Sequence, residues 1–321
     1  MRAFENVLPA ADLALARRRT YTLFGRLFLA GLSEGLLGPL EAVPELLELA
    51  LPFDADAAAA DHYQLTAVLV FPYESIFLDP TSLLGGEISE QLSLTYRRHG
   101  YPVTSEADHL GHELLYMARL CAGEASAYAS GDGAAASLWH SRQRAFLVAH
   151  LLTWLPPLVL AVAGGELRFY ERLAELTLAL AGDHLGARAV KDPFHLPDPP
   201  PLAGDETGIK EIARYLVTPP YSGLFLSREA IAAVARGQQL PRGFGDRAQL
   251  LANLLRAGGQ YDSAELVLDN LGRTFAAGAT AYSAQQETYP EIAPWIEPWR
   301  ERASRTAARL ADLASQVPAQ S

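Results

Sequence analysis

The stretch "TSEADHLGHELLYMARL", Thr104 to Leu120, packs an aspartate, two histidines and two glutamates ahead of a run of leucines and a methionine. Two stripes run through it at helical spacing. Leu110, Leu114, Met117 and Cys121 form an apolar one; His109, His112, Glu113 and Tyr116 form a polar one at i, i+3, i+4 and i+7. A period of 3.6 with one stripe for the core predicts a helix, beginning near Glu106. Ser105, followed three positions later by Asp108, has the shape of a capping box. Glu106 and Asp108 also complement the positive end of a helix. Capping alone would therefore explain Asp108. His109 falls in the first turn, where the helix dipole disfavours a cation, so it is expected neutral or paired with Asp108.

The same periodicity extends in both directions. "ADLALARRRTYTLFGRLFLAGL" sets Leu13, Tyr21, Phe24, Leu27 and Phe28 at helical spacings. "GPLEAVPELLELAL", "ISEQLSLTYRRHG", "AAASLWHSRQRAFLVAHLLTWL", "LRFYERLAELTLALAGDHLG", "SREAIAAVARG" and "EPWRERASRTAARLADLAS" read alike, most of them followed by Gly or Pro. No run of alternating residues competes, and the fold class is all-α.

"KDPFHLPDPPPLAGDE", Lys191 to Glu206, carries five prolines between Pro193 and Pro201. That density excludes a helix and suggests a stiff, extended connector. It divides the chain into a helical domain over 1–190, the connector at 191–206, and a helical C-terminal region over 207–321. "RAQLLANLLRAGGQYDSAELVLDNL" has the helix–turn–helix look of a tetratricopeptide unit. A solenoid needs several copies, so a lone helical hairpin is expected.

The chain's 321 residues are 50% hydrophobic, ample for a sizeable core. A net charge of −11 argues against a nucleic-acid backbone as partner. It suits solubility, and it would also attract a basic peptide. The single cysteine, Cys121, permits no disulfide within the chain and sits on the apolar stripe as a small core hydrophobe. "MRAFENVLPAADLALARRR" has its acid early and its arginines after the apolar part, the reverse of a secretory signal. "FLVAHLLTWLPPLVLAVAGG" is short for a membrane span and reads as a buried helix interrupted at Pro156-Pro157, with His150 as a core histidine.

His109, His112 and Glu113 on one face could bind a metal. The order His-x-x-His-Glu, however, is neither of the His/Glu zinc patterns. "LLGGE" at 83–87 and "RGFGDR" at 242–247 lack what a phosphate loop requires, and no Ser-His-Asp set is recognisable. From the residues alone, a helical metal-dependent hydrolase on the His109/His112/Glu113 face stands as the alternative to a binding protein. A third reading is a helical scaffold using 207–321.

Several motifs, in order and spacing, resemble the TorD/DmsD/NarJ-like chaperones, the redox enzyme maturation proteins. "DHLGHELLYM" is similar to their Asp-His-Leu…Glu-Leu…Met signature. "FPYESIFLDP" is similar to their Tyr-Glu-x-Leu-Phe segment, matching at Tyr73, Glu74 and Phe77, with Ile76 in place of leucine. "FLVAHLLTWLPPLV" resembles their Phe-Leu-x-x-His-Leu…Trp-x-Pro helix through Phe146, His150, Trp154 and Pro156, and "RRRTYTLFGRLF" their first helix. The turn before Asp-His often contains proline in the family; here it reads Ser-Glu-Ala.

The resemblance covers about residues 15 to 185. It implies a TorD-like helical bundle with an additional helical C-terminal region. It also implies a cytoplasmic chaperone rather than an enzyme, with no cofactor, metal or catalytic residue of its own and no stable membrane insertion. Such chaperones bind the twin-arginine signal peptide of a molybdenum or tungsten oxidoreductase, or another part of the apo catalytic subunit, until the pterin cofactor is inserted. Some are reported to bind guanine nucleotides. A receptor for a basic-then-apolar peptide needs carboxylates beside an apolar groove. Glu74, Glu106, Asp108 and Glu113 are the candidate carboxylates; Tyr73, Phe77, Tyr116 and Trp154 would line the groove, although Phe77, Phe146 and Trp154 equally fit a core. His109 and His112 complete the candidate peptide site. Tyr73 and Glu74, between Pro72 and Asp79-Pro80, are expected near the surface.

Overall fold

The computed structural model describes residues 9–81, 84–101, 103, 105–186, 194–202, 207–241 and 244–317. Among them are helices and irregular segments, and no strand. In chain order the helices are α1 (Ala10–Ala30), α2 (Glu34–Leu40), α3 (Pro44–Ala50), α4 (Ala55–Tyr63), α5 (Glu74–Leu78), α6 (Gly86–Arg98), α7 (Leu110–Ala129) and α8 (Gly133–Phe146). They continue as α9 (Leu152–Val162), α10 (Arg168–Leu185), α11 (Ile209–Val217), α12 (Pro219–Ser222), α13 (Arg228–Gly237), α14 (Arg247–Gln260), α15 (Ala264–Thr288) and α16 (Ala293–Ser315). The all-α expectation holds.

The chain forms two compact units. One comprises residues 1–63 and 85–151, the other 64–84 and 152–321. This division follows a different line from the Pro-rich connector: α5, α9 and α10 belong with the C-terminal helices. Residues 194–200 lie in no helix, as the density of prolines implies, and 191–193 and 203–206 of the expected connector lie outside the described residues.

In the first unit, α1 packs along α7. Each presents its apolar stripe: Tyr21, Phe24, Leu27 and Phe28 from α1, and Leu110, Leu114, Met117 and Cys121 from α7, all at 2% exposure or less. Their closest approach is between Gly25 and Gly111. A Cβ on Gly111 would lie 2.8 Å from the Gly25 carbonyl, so only glycine lets the backbones meet there. Cys121 is buried, as expected, and its S–H reaches Oε1 of Gln143 at 3.5 Å. Burial, more than the nearby Glu124 charge, pushes its thiol up to about 12, so it is not a reactive thiolate.

In the second unit the core aromatics include Phe77, Trp154 and Phe225; Phe77 sits 5.5 Å, centroid to centroid, from each of the other two. Phe77 and Trp154 are fully buried, which places both in the core and not on a groove surface. Pro156 and Pro157 do not interrupt the helix, as had been expected; both lie inside α9. Each removes one intrahelical donor, leaving the Leu152 and Thr153 carbonyls without their i+4 N–H. The Thr153 carbonyl instead accepts the indole N–H of Trp299 from α16 at 2.9 Å. Nearby, Nε2 of Gln285 on α15 donates to the Pro156 carbonyl at 3.3 Å. The C-terminal helices therefore pack back onto α9, and the Trp299 indole stands in for the donor that Pro157 removed from the Thr153 carbonyl. Asp262 is left-handed (φ 53°) at the turn from α14 to α15, and α15 packs along α16 as well as α14, so the hairpin expected there does not stand alone.

Gly133–Val162 is long and apolar enough by composition to cross a membrane, but 67% of its most apolar window is buried inside the protein, as for a core helix.

Candidate functional site

In the first unit, the turn ahead of α7 is fixed from both ends. Glu106 adopts a left-handed conformation (φ 55°), uncommon for a residue other than glycine. The hydroxyl of fully buried Tyr96, on α6, donates to the Ala107 carbonyl at 2.9 Å. Held this way, the chain cannot enter a helix near Glu106. α7 starts at Leu110, with His109 as its N-cap. The expected Ser105–Asp108 capping box is not formed. Nδ1 of His109 accepts the backbone N–H of Gly111 at 3.0 Å, and its carbonyl accepts the N–H of His112 at 2.8 Å.

An accepting Nδ1 requires the neutral, Nε2–H tautomer. Burial, followed by the charges of His112 and His62, lowers the His109 pKa to about 3. His109 is thus neutral, as expected, but its task at this position is capping. Burial also lowers His112, against the opposing pull of Glu106.

Around this turn lies a set of rings that the sequence reading passed over. Tyr96 and Tyr116 each contact the other, Tyr101 and Phe146, with Tyr96–Tyr116 at 4.7 Å and Tyr116–Phe146 at 4.8 Å. His150 packs on Phe146 at 4.8 Å and is half-buried rather than a core residue. His99, at the end of α6, shares a short hydrogen bond between its Nδ1 and the Tyr116 hydroxyl. Tyr101 and His112 approach to 3.5 Å. Burial pushes both Tyr101 and Tyr116 up to about 12, so their phenols stay protonated. His99 is lowered, by burial first and by Arg142 and Arg98 after it. At neutral pH the cluster offers neutral donors, neutral acceptors and ring faces. The only hint of it in the sequence was three aromatic or imidazole rings at 96, 99 and 101.

The nine candidate site residues differ widely in access. In the first unit Glu106 is exposed and His112 half-buried, while Asp108, His109, Glu113 and Tyr116 are buried at 4% exposure or less. In the second unit Tyr73 is half-buried, as the N-cap residue of α5, and Phe77 is core. Glu74, expected near the surface, is buried at 3% exposure in the first turn of α5, where its charge favours the positive end of the dipole. Among the described residues no group of three His, Cys, Asp or Glu side chains is placed to hold a metal ion. Nδ1 of His109 is already taken by the backbone N–H of Gly111.

Comparison with known families now bears on this arrangement. Residues 33–159 match the family model of the nitrate reductase delta subunit. This segment is similar to that family. It is the NarJ/TorD-like chaperone family that the motifs resemble. The matched segment contains Tyr73–Phe77, the Asp108–Tyr116 face and Trp154, and leaves α10–α16 outside. No curated protein and no solved structure matches the chain.

Proposed function

We propose that the protein is a cytoplasmic chaperone for assembly of a molybdenum or tungsten oxidoreductase. It binds the client's twin-arginine leader, or another segment of the apo catalytic subunit, until the pterin cofactor is inserted. The observation that carries this reading is the match of residues 33–159 to the nitrate reductase delta subunit family, over the segment that includes the Asp108-His109 turn. The site chemistry agrees with it: neutral histidines and phenols, with a carboxylate at the surface, suit binding and do not suit turnover.

Burial suggests how roles divide within the first unit. Glu106, exposed on its left-handed turn, is the carboxylate available to a leader arginine, and half-buried His112 and Tyr101 present hydrogen-bonding groups beside it. Asp108, His109, Glu113 and Tyr116 shape the turn from beneath. Tyr73, half-buried, is the corresponding candidate contact of the second unit.

Fluorescence anisotropy with labelled twin-arginine leaders from molybdoenzyme subunits of the same genome tests the reading. Saturable, micromolar or tighter binding that weakens when Arg-Arg becomes Lys-Lys is expected. Glu106→Gln should weaken binding while leaving the melting temperature in place. Indifference to Lys-Lys, together with no capture of the apo catalytic subunit, would sink the proposal.

A further inference from the structure

A cleft of about 590 Å³ opens beside the turn that carries Glu106, entirely within the first unit. One wall is a stripe of α6 that includes Glu90, Ser93, Leu94 and Arg97. The segment ahead of α7 forms the other wall, through Val103, Ser105 and Glu106. Both walls are fixed from behind. Leu92 and Tyr96, also on α6, are fully buried, and the Tyr96 hydroxyl holds the Ala107 carbonyl at 2.9 Å.

The lining describes its occupant. Two carboxylates, Glu90 and Glu106, stand against one guanidinium, that of Arg97. Both carboxylates are exposed, and neither forms an ion pair among the described residues. Arg97 does not neutralise them: its Nε donates instead to the Ser93 carbonyl of its own helix at 3.3 Å. Leu94, 48% exposed, and half-buried Val103 add apolar surface. Ser93 and Ser105 add hydroxyls that can donate to, or accept from, a peptide backbone. A small-molecule pocket of this size is mostly apolar; a lining this polar and net negative suits a cationic stretch of chain and repels an anion.

We infer that this cleft seats the arginine pair of the client leader as an extended segment, with Glu106 taking one guanidinium and Glu90 the other. Carboxylate and guanidinium form short, charge-assisted and often bidentate contacts, which a lysine cannot reproduce. Leu94 meets an apolar side chain farther along the peptide. The inference rests on the leader reading and deepens it. What it adds is Glu90, which no motif marks, as a residue that sets specificity, and Arg97 as a like charge that limits affinity.

Fluorescence anisotropy of the full chain with the labelled leaders tests this inference. Glu90→Gln should weaken binding about fivefold, near the upper end for an exposed ion pair, and adding Glu106→Gln should weaken it further. Arg97→Gln should tighten binding by a similar factor, a gain that lost packing could not produce. Both Glu90 and Arg97 are exposed, so the variants should melt with the parent chain. A second measurement reads position. The chain's single cysteine, Cys121, is buried, so Ser93→Cys supplies an accessible thiol. A leader carrying a bromoacetyl group beside its arginine pair should label that variant much faster than Ser137→Cys, which places the thiol on an exposed face of α8 outside the cleft. Parent affinity in Glu90→Gln, parent or weaker affinity in Arg97→Gln, or equal labelling of the two cysteine variants would each overturn the inference and leave the leader reading standing. A parent chain that binds no leader would overturn both.

Discussion

The backbone N–H of Gly111 donates to Nδ1 of His109, so a histidine caps the helix that carries the Asp-His motif. Two consequences compete when His109 is changed. If capping is its main contribution, His109→Ala should lower stability by about 0.5–2 kcal/mol, as other lost caps do, and His109→Asn should recover most of it. Denaturant midpoints read this directly. A leader-binding loss that persists in the Asn variant would place His109 in recognition as well; binding restored together with stability would make it a positioning residue.

The same histidine predicts a pH dependence. Its folded pKa is lowered to about 3, below the ordinary value near 6.5, so between those values the unfolded chain binds the extra proton. Stability then rises with pH across that window. The contribution is fully present above about 6.5 and is lost as pH falls toward 3, by at most about 1.4 kcal/mol per pH unit. His99 and His112, both lowered chiefly by burial, act in the same direction. Denaturation midpoints measured from pH 7.5 to 4.5 should fall steadily, and a His109→Asn chain should show a shallower fall. A flat profile in the parent chain would contradict the buried, neutral imidazole.

The helices and most of the core were legible in the sequence because they depend on a local period: Leu110, Leu114, Met117 and Cys121 had only one way to be buried together. The start of α7 was not. It depends on the left-handed Glu106 and on a hydroxyl from Tyr96, eleven residues upstream of the carbonyl it binds. Local capping rules favoured Ser105 and Asp108 and could not register that partner. The burial of Glu74 was missed for a similar reason, since flanking prolines suggest a loop while tertiary packing decides exposure.

Gly223 makes a sharper stability prediction. It is left-handed (φ 91°), and a Cβ there would lie 2.3 Å from the backbone nitrogen of Ala303. Its carbonyl also accepts the hydroxyl of fully buried Tyr282 at 2.9 Å. Gly223→Ala therefore adds backbone strain of about 1–2 kcal/mol to an overpacking cost of about 1–3 kcal/mol. Gly131 (φ 74°) has nothing near its Cβ position, so Gly131→Ala should show the strain alone. Thermal melts of the two variants, compared with the parent, isolate the packing share; equal losses would mean that α12 and α16 do not meet as closely as this.

The bond from Trp299 to the Thr153 carbonyl spans 146 residues and exists because Pro157 cannot donate. Trp299→Phe keeps most of the ring and removes the N–H, leaving a buried carbonyl short of its donor. A loss of about 1–3 kcal/mol is expected for that, plus a smaller packing term. Pro157→Ala supplies a helical N–H to the same carbonyl from within α9. The two substitutions should therefore not add: Trp299→Phe should cost less in the Pro157→Ala background than in the parent, by roughly 1 kcal/mol, in the range found for residues sharing a hydrogen-bond partner. A double-mutant cycle from urea denaturation measures that coupling. Strict additivity would mean that the indole packs against α9 without replacing the donor its proline removed, and that the C-terminal helices are held there by apolar burial alone.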